Sequence, residues 1–157
     1  MISKKKYYLT KEGLKKAEKE FKELFELRRR KTNGEAPELL HSEDLNPEYM
    51  SYLEDIELLD GRIAELENVL KNAEIITFPK GKKKEIGLGA KVCLEIDGMK
   101  DEFQIVGTFE ANPFLGKISN ESPVGRALMG LKEGEEVTIS SPIKTLYKIK
   151  KVDYPES

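Results

Sequence analysis

Residues 46–70, NPEYMSYLEDIELLDGRIAELENVL, decide how this chain is built. Asn46 suits a helix N-cap, Pro47 the first helical position, and Glu48 the first turn, where the positive end of the helix dipole favours an acid. Leu53, Ile56, Leu59, Ile63, Leu66 and Leu70 then recur at steps of three and four. That spacing lays one apolar stripe along a helix, and the pattern fades at Lys71-Asn72-Ala73. A narrow stripe on an otherwise polar helix resembles a coiled-coil seam and calls for a partner helix with a stripe of its own.

The partner lies upstream. Thr10 is a second N-cap, with Glu12 in its first turn. Leu14, Ala17, Phe21, Leu24 and Arg28 follow at three- and four-residue steps. The stripe loses its apolar character at Arg28-Arg29-Arg30-Lys31, and Asn33-Gly34 supplies a stop, with Pro37 beyond it. The two helices run to about 22 and 27 residues, or ~33 and ~40 Å at 1.5 Å per residue. A linker of about fifteen residues makes them antiparallel neighbours. A two-helix hairpin has little core of its own, so residues 1–74 are expected to project as an arm from something more globular.

Downstream the period changes from helical to alternating. Ile75-Ile76-Thr77-Phe78 is a short strand-like run ended by Pro79, and a Lys-rich loop follows to Glu85. Val92 to Ile96, then Asp97-Gly98, then Met99 to Val106 is a hairpin signal. Ile118 begins a strand-to-helix unit in which Ser122 caps and Pro123 takes the first helical position, with Gly130 as a stop. Val137-Thr138-Ile139 and Leu146 to Val152 read as two more strands. The fold class is therefore α+β: an N-terminal antiparallel two-helix coiled coil, then a small antiparallel β domain with one short helix over residues 75–157.

Composition narrows the classes. The chain has 157 residues, 36% charged and 38% hydrophobic. No apolar run approaches the ~20 residues of a membrane span. One cysteine, Cys93, excludes a disulfide scaffold. After Met1-Ile2-Ser3 come three lysines and a polar amphipathic stretch rather than a secretory core, so a cytoplasmic protein without a membrane partner is expected.

The net charge of −2 hides a strong pattern. Residues 1–31 hold twelve Lys/Arg and five Glu, whereas residues 32–61 hold nine Asp/Glu and no Lys/Arg. A thirty-residue window of charge −9 repels nucleic-acid phosphates and attracts cations or a basic partner surface.

Signals for a self-contained enzyme are thin. There is one histidine, His41, and Gly87-Leu88-Gly89 lacks the rest of a phosphate-binding loop. Cys93 falls in a predicted strand and reads as a buried thiol. Glu43, Asp44 and Glu48 lie within six residues at the bend between the helices. Carboxylates there either solvate a loop or hold part of the shell of Mg²⁺, an ion that keeps waters and takes one or two protein carboxylates. Shared with another protein's active site, such an ion activates a water for attack on a phosphodiester. Arg28, Arg29, Arg30 and Lys31 either contact RNA phosphates or balance the acidic window and the helix C-terminal dipole. Lys80 and Lys82 to Lys84 have no interleaved aromatic residues and read as a solvated linker.

Taken together, Tyr8-Leu9-Thr10-Lys11-Glu12-Gly13-Leu14, Asn46-Pro47-Glu48-Tyr49, Gly61-Arg62-Ile63-Ala64-Glu65-Leu66-Glu67, Asn72-Ala73-Glu74-Ile75-Ile76, Gln104-Ile105-Val106-Gly107, Gly116-Lys117-Ile118-Ser119 and Ser122-Pro123-Val124-Gly125-Arg126-Ala127-Leu128 resemble, in order and spacing, the Gre family of bacterial transcript cleavage factors. The resemblance covers nearly the whole chain. It implies a C-terminal domain like the FK506-binding proteins, docked on the rim of the RNA polymerase secondary channel, and a coiled coil that passes down that channel. It implies that the tip acids help hold a Mg²⁺ shared with the polymerase, none being bound by the isolated protein. The polymerase then hydrolyses the 3′ end of the backtracked nascent RNA. The factor, a monomer, is not itself the enzyme. A peptidyl-prolyl isomerase is the rival that the implied globule suggests, but no aromatic-lined cavity is evident.

With that resemblance in view, Glu43 and Asp44 are the candidate catalytic Mg²⁺ ligands, with Asn46, Glu48 and Tyr49 supporting the tip. The resemblance assigns Glu121, Ser122 and Pro123 to polymerase docking, and leaves Arg28, Arg29 and Arg30 as RNA-contacting candidates. One departure stands at the tip. The family pattern has an Asp, two residues, then Glu-Asn-x-Glu-Tyr; aligned on Asn46 to Tyr49, this chain has Ser42 and Leu45 at the Asp and Glu positions. Either the tip presents Glu43 and Asp44 instead, or the protein occupies the channel as an inhibitor or modulator.

Overall fold

A computed structural model describes residues 5–34, 47–77, 85–140 and 142–155. The chain divides into two compact units, Leu14–Asn72 and the combination of Met1–Gly13 with Ala73–Ser157. The sequence alone predicts one boundary, between residues 74 and 75. The N-terminal residues group with the C-terminal unit because strand β1 (Tyr7–Leu9) pairs in parallel with β2 (Ala73–Ile75). The Ile76 N–H adds a bond to the Leu9 carbonyl at 2.9 Å. A Cβ on Gly107 would lie 2.3 Å from the Tyr8 carbonyl oxygen, so β1 passes where only glycine leaves room. Three residues are too few for β1 to show a period of its own.

Two helices make up most of the other unit, α1 (Lys11–Gly34) and α2 (Pro47–Lys71). The Thr10 hydroxyl accepts from the Gly13 N–H at 3.0 Å, which is the predicted N-cap. Ion pairs fix the direction: Glu20 meets Arg62, Arg28 meets Asp60, and Lys31 meets Asp55, so the partner number falls as α1 advances. The helices are antiparallel. On α2 the seam begins one residue earlier than expected. Tyr52 is half-buried and its hydroxyl donates to the Lys31 carbonyl at 3.3 Å, whereas Leu53 is 42% exposed. Val69, absent from the predicted stripe, is fully buried with Leu66.

The globule is a five-stranded sheet of β3 (Lys91–Ile96), β4 (Met99–Val106), β5 (Lys117–Ser119), β6 (Glu136–Ser140) and β7 (Lys144–Asp153), in the order β5-β4-β3-β7-β6. Asp97 and Gly98 both have positive φ (49° and 81°), the pairing that a two-residue hairpin turn with the strands' own twist requires. Three of the four strand pairs are antiparallel; β4 and β5 run parallel, joined through a 3₁₀ turn at Pro113–Leu115. Strand β7 carries a bulge against Cys93 and Leu94 that lets Ile149 and Val152, three apart, both reach the core across the intervening Lys150-Lys151. Helix α3 (Pro123–Leu128) contributes Leu128 to a core of Ile86, Ala90, Val92, Leu94, Ile105, Ile149 and Val152. Cys93 is half-buried rather than a core thiol, because strand alternation turns it away from Val92 and Leu94. Among the described residues no helix is long and apolar enough to cross a membrane.

Candidate functional site

Two groups of expected residues fall on the described structure, one in each unit. In the helical unit the antiparallel register brings the C-terminal end of α1 beside the N-terminal end of α2. Arg28 to Arg30 and Glu48 with Tyr49 therefore share one end of the helix pair. Glu48 stands in the first turn of α2, and the Tyr49 ring lies 6.3 Å from that of Tyr52. The basic cluster is largely engaged. Both Nε and Nη2 of Arg28 donate to the Asp60 carboxylate, and that bond raises the guanidinium pKa. Lys31 lies 3.4 Å from Asp55, Arg29 lies 3.9 Å from Glu26, and Arg30 is exposed. Two acids of the negative window are thus neutralised across the helix pair, while Glu54 and Glu57 line open surface beside Leu58.

His41, Ser42, Glu43, Asp44, Leu45 and Asn46 lie outside the described residues, as do Lys80 and Lys82 to Lys84. Among the described residues no three His, Cys, Asp or Glu side chains converge as a metal site. Glu43 and Asp44, the expected Mg²⁺ ligands, are among the residues that the structure does not describe.

In the C-terminal unit the expected docking residues sit on the turn from β5 into α3. Ser122 is the N-cap: its hydroxyl accepts from the Gly125 N–H at 3.0 Å and donates to the Ser119 carbonyl at 2.7 Å, and Pro123 opens the helix. A Cβ at Gly125 would lie 1.9 Å from that same carbonyl oxygen, so the turn closes only over glycine. Glu121 is exposed, and its carboxylate accepts from the Thr108 hydroxyl at 2.9 Å. Its backbone N–H donates to the Ser119 hydroxyl at 3.0 Å, and the Ser119 and Thr108 hydroxyls are 2.8 Å apart.

Sequence reasoning missed Thr108 as a partner of Glu121, and missed a second cluster around Glu110. The Glu110 side chain is 7% exposed and accepts from the Thr10 N–H at 3.0 Å and the Thr10 hydroxyl at 2.5 Å, with Lys117 Nζ at 3.5 Å. Both depend on contacts across 13 and 100 residues of chain, which no local period announces.

Comparison with known proteins bears on the whole chain. Residues 7–75 match the family described as "Transcription elongation factor, N-terminal", and residues 81–154 match "Transcription elongation factor, GreA/GreB, C-term". Transcription elongation factor GreA of Clostridium acetobutylicum is 40% identical over 146 residues, 90% of this chain and 92% of that protein. GreA of Listeria welshimeri is 38% identical over 157 residues, 97% of this chain and 98% of that one. Among solved structures, GreA factor homolog 1 of Thermus thermophilus aligns over 95% of this chain and 99% of its own at 25% identity, with a TM-score of 0.42. From both family matches and relatives of this identity over nearly their full length, the chain belongs to the GreA/GreB family of transcription elongation factors.

Proposed function

We propose that this chain binds RNA polymerase at its secondary channel and stimulates the polymerase's own cleavage of backtracked nascent RNA. The C-terminal unit docks through Glu121 and the capped turn at Ser122-Pro123. The helical unit delivers carboxylates at Glu43 and Asp44 to the polymerase Mg²⁺ site, with Asn46, Glu48 and Tyr49 supporting them and Arg28 to Arg30 facing RNA phosphates. The observation that carries this reading is the charge of −9 over residues 32–61, a window that takes in the segment joining α1 to α2 and the N-terminal part of α2. Glu43 and Asp44 would donate ligand oxygens to a Mg²⁺ shared with the polymerase, and that ion would supply the activation of a water for attack on the phosphodiester. The factor acts as a monomer and is an accessory; the endonuclease is the polymerase.

The test is a stalled-complex cleavage assay with Glu43→Ala/Asp44→Ala. Cleavage stimulation is expected to be lost while polymerase binding persists. Unchanged cleavage would remove these two residues from the mechanism. Ser42 and Leu45, standing where the family pattern has its Asp and Glu, favour a second reading as a channel-binding modulator. In the same assay a modulator slows cleavage or synthesis with the unmodified chain.

A further inference from the structure

We propose that Thr108 and Ser119 are positioning residues that hold the Glu121 carboxylate ready for a cationic side chain on RNA polymerase; this rests on the docking reading above. The argument starts from counting protons. A threonine hydroxyl has one proton, and Thr108 gives it to Glu121 Oε2 at 2.9 Å. The 2.8 Å contact between the two hydroxyls must then use the Ser119 proton, with Thr108 Oγ1 accepting. Ser119 Oγ keeps a lone pair for the Glu121 N–H at 3.0 Å. Three bonds thus close a one-way ring: Glu121 N–H to Ser119, Ser119 to Thr108, and Thr108 back to the Glu121 carboxylate. Bonds arranged head to tail polarise and strengthen one another.

The ring is not needed to hold the turn. The backbone there is fixed separately by Asn120 N–H to the Val106 carbonyl at 2.9 Å, by Ser122 N–H to the Ser119 carbonyl at 3.1 Å, and by the Ser122 cap. Nor does it satisfy groups starved of water, since Thr108 and Glu121 are both exposed. What the Thr108 hydroxyl adds is a single rotamer for a side chain that otherwise has many, and glutamate is among the side chains that lose most rotamer freedom when fixed. Fixing it before the encounter removes that cost from binding. With Oε2 held by Thr108, Oε1 is left facing no protein donor among the described residues, and a guanidinium or ammonium group is the chemistry that it accepts.

The experiment titrates full-length chain against RNA polymerase by fluorescence anisotropy at low salt. Glu121→Ala sets the scale. Thr108→Val, which keeps the shape but not the hydroxyl, is expected to weaken binding by about three- to tenfold, and Thr108→Ser to restore it. Thr108→Val combined with Glu121→Ala is expected to bind no worse than Glu121→Ala alone, because Thr108 acts through that carboxylate. Melting temperatures report folding; where Thr108→Val lowers its own, Ser119→Ala opens the same ring from the other side and carries the same expectations. Wild-type affinity in both ring variants overturns the inference, as do losses that simply add in the double variant. An unaffected Glu121→Ala overturns the docking reading and this inference with it, whereas a weakened Glu121→Ala beside unaffected ring variants overturns this inference alone.

Discussion

In the sheet unit Val92, Leu94, Ile105 and Leu128 have no exposed surface and sit in one cluster; among the described residues of the helical unit only Ala17, Leu66 and Val69 are buried hydrophobics, and Phe25, Met50, Leu53 and Leu58 are more than a third exposed. One unit is held by removing apolar surface from water, at roughly 25 cal/mol per Å². The other has one seam and relies on charge across it, with Glu20–Arg62, Arg28–Asp60 and Lys31–Asp55 spanning the helix pair. A two-helix segment cannot do otherwise, since each helix has one neighbour and most of its surface faces water. That geometry suits a segment whose proposed task is to carry charge.

The sharpest break of this contrast is Leu94→Ala. The side chain is fully buried, and deleting it removes transfer energy and leaves a cavity, so a loss of about 2–5 kcal/mol is expected in urea denaturation of the full chain. A loss below about 1 kcal/mol would mean that the cluster around it collapses freely and that burial is not what holds the sheet unit.

Next in size is Glu110→Gln, which tests a polar anchor inside the same unit. The carboxylate takes two bonds from Thr10, the residue that caps α1, and an amide in its place would set an NH₂ against one of those donors. A loss of about 2 kcal/mol is expected in thermal melts. Thr10→Val on top of it should add little, because the two share the same bonds. Full additivity would show that Glu110 and Thr10 stabilise the fold independently.

Much of this fold was legible in the residues. Thr10, Pro47, Ser122 and Pro123 mark helix starts because caps are local chemistry, and Asp97-Gly98 marks the hairpin because a two-residue turn demands positive φ. Strand β1 was not legible, nor was the parallel pairing of β4 with β5, because both are decided by partners far along the chain. The bulge in β7 hid behind Ile149-Lys150-Lys151-Val152, which breaks alternation by one residue. The candidate site divides the same way. Ser122 and Pro123 were readable as a cap, whereas the hold of Thr108 on Glu121 exists only once Val106 lies opposite Ser119 in the sheet.

On the helical side the contrast is sharpened by Arg62→Ala. Arg62 forks onto Glu20 at 2.8 and 3.1 Å and reaches Glu65 at 3.0 Å; the bond to Glu20 raises its pKa. Its side chain is 38% exposed, so solvent and salt screen much of the attraction. The expected loss is about 1 kcal/mol at low ionic strength, shrinking in 1 M salt. Arg62→Lys should lose most of the same amount, because an ammonium cannot make the fork. A loss that grows with salt would contradict the electrostatic account.

The smallest effect separates two neighbours on α2. Spacing alone put Leu53 in the seam, yet it is 42% exposed while Tyr52 is half-buried with its hydroxyl on the Lys31 carbonyl. Leu53→Gln should therefore stay within about 0.5 kcal/mol of the parent, since both residues are good helix formers and little apolar surface is given up. Tyr52→Ala should cost more, through lost ring packing and the lost bond at the end of α1. Thermal melts of the two variants read the register of the helix pair directly. If Leu53→Gln proved the costlier change, the seam would have to be rotated by one residue and the pairing of Lys31 with Asp55 would go with it.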